Sequence, residues 1–202
     1  MYEVMQTGNS NYTQNLLRFI VALNLVYCAV EAAVAWRIGS VSLFADASDF
    51  LEDATLSLLV LWALGKPLRL QAIIAFGLAA IVAAPGLVAL GMAYGKWLSP
   101  AVPNATALTI TGAGAFAVNA LCAFLLAGMR SRGGSLLRAA YLSARNDVIG
   151  NVAIIGAGFA TAYWSSAWPD VAVGLALFAL HSGAGIEVFS AARAELKEQP
   201  QR

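Results

Sequence analysis

Three aspartates, Asp46, Asp49 and Asp53, follow one another at spacings of three and four residues in a stretch that opens at Ser40 and is otherwise apolar to Leu64. At 3.6 residues per helical turn they fall within about 60° of one another, with Ser42 and Ser57 on the same stripe. Each ionised carboxylate near the middle of a lipid-embedded helix costs roughly 2.5 to 3.5 kcal/mol, so three on one stripe require a compensating charge, protons or a water-filled cavity. A bound cation is the simplest of these. Asp46, nearest the start of the run, has an ordinary alternative, since a carboxylate there accepts from free N-terminal amides and is favoured by the helix dipole. Glu52 lies about 60° outside the stripe and suits an ion pair with a neighbouring helix.

A second polar face lies near the other end of the chain. Ser143, Asn146, Asp147 and Asn151 recur at i, i+3, i+4 and i+8 and, with Gly150, make a face about 140° wide. Two facing helices with Asp49 and Asp53 on one and Asp147 on the other would place three carboxylates around one ion. Arg145 points away from that face, roughly 10 Å along the axis from Arg138, placed to reach lipid headgroups or to pair with Glu52 or Glu187. Two other polar features remain. Asn24, Cys28 and Glu31 share one face at i, i+4 and i+7, Asn24 and Cys28 suiting interhelical hydrogen bonds and Glu31 facing the bundle interior or a cavity. His181, the single histidine, reads as a hydrogen-bonded packing residue.

The elements that position these groups follow from composition. Of 202 residues, 60% are hydrophobic and 11% charged, with mean hydropathy +0.72, against about 25% charged in a typical soluble domain. Turn signals and charges divide the chain into six apolar spans, about 16–36, 41–64, 70–95, 107–129, 137–164 and 169–192, each long enough to cross a bilayer as a helix. The runs are continuously apolar rather than alternating, which excludes a membrane β-barrel. The expectation is an all-α polytopic membrane protein with a mobile polar lead at 1–15, a six-helix transmembrane domain at 16–192 and a short cytoplasmic tail at 193–202.

With both ends on one side, Arg18, Lys66, Arg69, Arg130, Arg132, Arg138, Arg193, Lys197 and Arg202 share that side, and only Arg37 and Lys96 lie opposite. The positive-inside rule then puts both termini in the cytoplasm. No cleavable signal is apparent, and Cys28 and Cys122 both lie within spans, which argues against a disulfide framework. The third span reads as scaffold, bent at Pro85, while Gly112, Gly114 and Asn119 suit the fourth to close helix contact.

The ordered set Asn24, Glu31, Gly39, then Ser40-x-Ser-Leu-Phe-Ala-Asp46-Ala-x-Asp49-x-x-x-Asp53, resembles the first two helices of the cation diffusion facilitator family of divalent metal transporters. Ser143-x-x-x-Asp147 with Asn151 falls where that family carries its fifth-helix metal motif, usually His or Asp, three residues, then Asp. The resemblance implies a transport site of Asp49, Asp53 and Asp147 with Ser143 at the fourth ligand position, and Asn146, Asn151 and Asp46 as weaker candidates. It also implies a homodimer, here through the transmembrane helices, in a short form without the family's cytoplasmic C-terminal domain or histidine-rich loop.

Ser143 departs from the pattern, because a neutral hydroxyl is a poor zinc ligand. An oxygen-only set leans towards manganese, magnesium or iron(II), while zinc or cobalt follows from the resemblance. The expected activity is efflux of a divalent metal in exchange for protons, with helices two and five rocking against the rest in a bacterial inner membrane. No enzymatic activity, cofactor or nucleic-acid partner is expected. Two competing readings are a metal-binding partner or sensor subunit that does not transport, and a metal-dependent lipid phosphotransferase. The latter is disfavoured by the lack of a Gly-Arg-rich phosphate-binding segment.

Overall fold

The computed structural model of the chain describes residues 2–63, 85–128 and 134–181, and all regular structure among them is helical. Helix α1 spans Tyr2–Ile38 and α2 Val41–Ala63. Helix α3 is described over 85–98, α4 spans Ala105–Ala127, α5 Gly134–Trp164 and α6 Trp168–His181. The six expected spans each correspond to one of these helices. The polar lead expected as a separate segment is instead wound into α1 from Tyr2 onward. The third span before Pro85, and with it the turn of chain needed to judge a bend there, residues 129–133 and everything after His181, including Glu187 and the tail, lie outside the described residues.

Local chemistry sets the boundaries. Helix α1 stops at Gly39, whose φ of 68° an L side chain rarely adopts, and the Ser40 amide closes back on the Ala35 carbonyl at 3.0 Å. The chain reverses there, and Ser40 caps α2 by accepting from the Leu43 amide at 3.2 Å. Between α3 and α4, in the gap between the third and fourth expected spans, residues 99–104 form a loop. Asn104 ends it by accepting from the Ala107 amide at 2.8 Å.

Burial runs opposite to that of a water-soluble protein. Asn24, Glu31, Asp46, Asp49, Asp53, Asn119, Asp147, Asn151 and Asp170 are buried, whereas Trp36, Phe124 and Phe159 are exposed at 74%, 78% and 65%. A polar interior wrapped in large apolar side chains suits a lipid surround. Residues 12–38 and Ala105–Ala127 are long and apolar enough to cross a membrane by themselves. Helices α2 and α5 are less apolar because they carry Asp46, Asp49, Glu52 and Asp53, and Arg138, Arg145 and Asp147.

Of the four helices described along their whole length, α4 packs most extensively on α5 and α1 on α2, while α2 meets α5 along a thinner seam. Close approach of α4 and α5 depends on small residues: a Cβ on Gly112 would come within 2.9 Å of Ile154, and one on Gly158 would overlap Thr109. Apolar clusters bracket the polar centre. Leu43, Phe44, Leu108, Ile154 and Leu177 pack on one side of it, and Leu17, Ile20, Cys122, Leu126 and Ala144 on the other.

Candidate metal site

The side chains of Asp49 on α2 and Asp147 on α5, 4% and 3% exposed, turn toward the seam between their helices. They meet on His181 of α6. Nδ1 of His181 lies 3.0 Å from Asp49 Oδ1 and Nε2 lies 3.3 Å from Asp147 Oδ1. One ligand atom from each of the three residues falls within 4.8 Å of the others, the spacing of groups that hold one metal ion. His181 Nδ1 is also 3.0 Å from the carbonyl of Leu177, one turn earlier on α6. The imidazole is the most accessible of the three, its side chain 25% exposed against 3% and 2% for the aspartates.

Asp53, one turn along α2 and 6% exposed, has the Ser143 hydroxyl of α5 within side-chain interaction reach. Its Oδ1 is buried without a partner. Ser143 and Asp53 therefore face each other, as the two polar stripes imply, and both border the three-residue cluster.

One turn in the opposite direction, Asp46 takes part in a different arrangement. Asn151 Nδ2 donates to Asp46 Oδ2 at 2.7 Å, and Asn119 Nδ2 donates to Asn151 Oδ1 at 3.0 Å. The carboxyl of Glu31, from α1, is in side-chain hydrogen-bonding contact with that of Asp46. Among the described residues no other group donates to either Glu31 oxygen or to Asp46 Oδ1, and both residues are wholly buried. Two carboxyl groups in contact away from water must share a proton or a cation. Asn24 is also wholly buried with neither amide atom paired, while Cys28 donates to the Ala47 carbonyl at 3.2 Å.

Asn146 does not join the cluster. It is exposed on α5 and accepts from Arg145 at 3.3 Å. Arg145 is exposed too, and among the described residues it forms no ion pair with Glu52, which is half-buried within electrostatic reach of His181 and Asp147.

Two residues have roles that the sequence did not suggest. His181, read there as packing, bridges the two aspartates. Asp170, not singled out there, performs the amide-capping role considered for Asp46. Its Oδ2 accepts from the Val41 amide at 2.9 Å and from Lys96 Nζ at 3.1 Å, and its Oδ1 accepts from the Ser42 amide at 3.1 Å. The same Oδ1 accepts the hydroxyls of Ser40 and Ser42 at 2.6 and 2.7 Å. The available signal was an acid directly after Pro169 at the head of an apolar run, where a carboxylate favours helix starts. For His181 no comparable signal exists, because its neighbours in sequence are apolar or small.

The sequence profile of the cation efflux transmembrane domain matches residues 17–196, nearly the whole chain. Among curated proteins none matches it. With polar groups enclosed by lipid-facing helices and a matching profile over all six spans, the chain belongs to the cation efflux family, whose members are membrane transporters of metal ions rather than enzymes.

Proposed function

We propose that the protein exports a divalent metal cation in exchange for protons, holding the ion between α2 and α5 through Asp49, Asp53 and Asp147. The observation that carries this reading is the convergence of Asp49 and Asp147, from two helices, on one point bounded by His181 at 3.0 and 3.3 Å. A divalent charge offsets two carboxylates in surroundings where neither is tolerated alone. Asp53 supplies its unpartnered oxygen to the ion or to water on it, and Ser143 orients Asp53 from the other side. Carboxylates must be free of protons to coordinate a metal, so binding on one side and release on the other exchange protons for the ion. The distribution of Lys and Arg supports cytoplasmic termini, the tight turns suit a bacterial inner membrane, and the family resemblance favours a homodimer.

The test is metal flux in proteoliposomes across an imposed pH gradient. Asp49→Ala and Asp147→Ala are expected to abolish flux while gel filtration and circular dichroism remain those of the wild type. Undiminished flux in both variants removes the assignment.

A further inference from the structure

The geometry points to His181 as a ligand of the transported ion, and to a site that consequently selects borderline divalent ions such as zinc and cobalt(II) over hard ions such as manganese(II) and magnesium. This rests on the metal-transport reading above and specifies which ions the site takes.

Three observations support it. The first is distance. Four ligands at about 2.0 to 2.2 Å around a tetrahedral zinc ion lie about 3.3 to 3.5 Å apart. His181 Nε2 and Asp147 Oδ1, at 3.3 Å, are already one such edge. The second is orientation. Nδ1 lies 3.0 Å from two acceptors, the Leu177 carbonyl and Asp49 Oδ1, which favour the tautomer with its proton on Nδ1, and in that tautomer the Nε2 lone pair faces Asp147. A second nitrogen anchored on a backbone carbonyl is the usual support of a metal-binding histidine, because it fixes both ring orientation and tautomer.

The third is the chemistry of the remaining donors. Asp49, Asp53 and Asp147 offer oxygen only, and the Ser143 hydroxyl lies beside Asp53. A set made only of these groups favours hard ions; one imidazole moves it toward zinc and cobalt(II). His181 brings that nitrogen from α6, while the place one turn before Asp147 on α5 is filled by a serine. A histidine serving packing alone has no need to meet two buried carboxylates, one on each ring nitrogen.

The experiment measures binding of zinc, cobalt(II) and manganese(II) by the purified full chain, with flux of each ion measured in parallel. Wild type is expected to bind zinc at least about 100-fold more tightly than manganese, with the visible spectrum of its cobalt form showing intense tetrahedral bands containing a nitrogen ligand. His181→Ala should lose about 100-fold in zinc affinity and less than about 5-fold in manganese affinity. His181→Asp should still bind, with the preference reversed toward manganese. A structural role would instead weaken all three ions alike. An unchanged zinc-to-manganese ratio in both variants, or a wild type that prefers manganese, overturns the inference even if flux is normal. Selective binding without flux in wild type supports the ligand assignment and defeats the transport reading instead.

Discussion

Ser143 lies beside Asp53, and in the reading proposed above it orients that carboxylate toward the ion. Groups that orient a ligand typically contribute 10- to 100-fold to metal affinity. Ser143→Ala is therefore expected to weaken metal binding about 10-fold while leaving flux measurable, as competition with a fluorescent chelator will show. Glu31 and Asp46 give a different expectation. Replacing Glu31 by Gln keeps the shape, removes one acid of the pair and supplies an amide donor to Asp46 Oδ1, which lacks one. At pH 8 the midpoint of thermal unfolding in detergent should rise by several degrees, and the gain should shrink at acid pH, where both acids are protonated; a fall at pH 8 contradicts the shared-proton contact.

The same residues show what was legible beforehand. The acids of α2 and α5 stand out because a carboxylate in an apolar run has few inexpensive explanations, and helical periodicity states which of them share a face. Asn146 misled because a face 140° wide includes its own edges, and the edge residue turned outward to Arg145. His181 could not be placed from periodicity, which fixes angles within one helix and says nothing of which neighbour that helix lies against.

At the level of elements, six apolar spans were readable from length alone, and the break between the first two, at 37–40, contains Gly39 and Ser40, whereas the Asn104 cap was not picked out. The start of α1 was not, because a polar stretch without caps gives no sign of whether it continues a helix. Asp170 joins the beginnings of α2 and α6 and also holds Lys96 of α3. Breaking one side of a buried ion pair typically costs about 3 to 5 kcal/mol, because the other charge stays behind. Asp170→Ala should lower the unfolding midpoint by about 10 °C, and adding Lys96→Met should recover a substantial part of the loss. If the double variant is no more stable than the single one, the charge on Lys96 is not what Asp170 compensates. Gly174 belongs to the same junction: a Cβ there would come within 2.7 Å of the α2 backbone at Val41 and Ser42.

For the whole molecule, a family profile covering residues 17–196 and buried carboxylates inside a bundle with large apolar side chains on its outside describe a transporter embedded in lipid. Protons compete with metal for the carboxylates and imidazole, so acidification must weaken binding. Apparent metal affinity is expected to fall about 10-fold per pH unit where one proton is exchanged, and about 100-fold where two are. Titrations between pH 5 and pH 8 will give that slope, and a flat profile contradicts proton exchange.

The junction at Asp170 also decides how a cargo can leave. Asp170 fastens α6 to α2, and α2 meets α5 along a thinner seam than α4 does, so the expectation is that Asp49 and His181 move together as one jaw against Asp147. On that expectation opening separates the Asp147 carboxylate first, an alternative to the joint rocking of α2 and α5 against the rest. A cysteine staple between α2 and α6 should leave turnover intact, whereas one between α2 and α5 should freeze it; the reverse outcome would show that the jaw divides elsewhere.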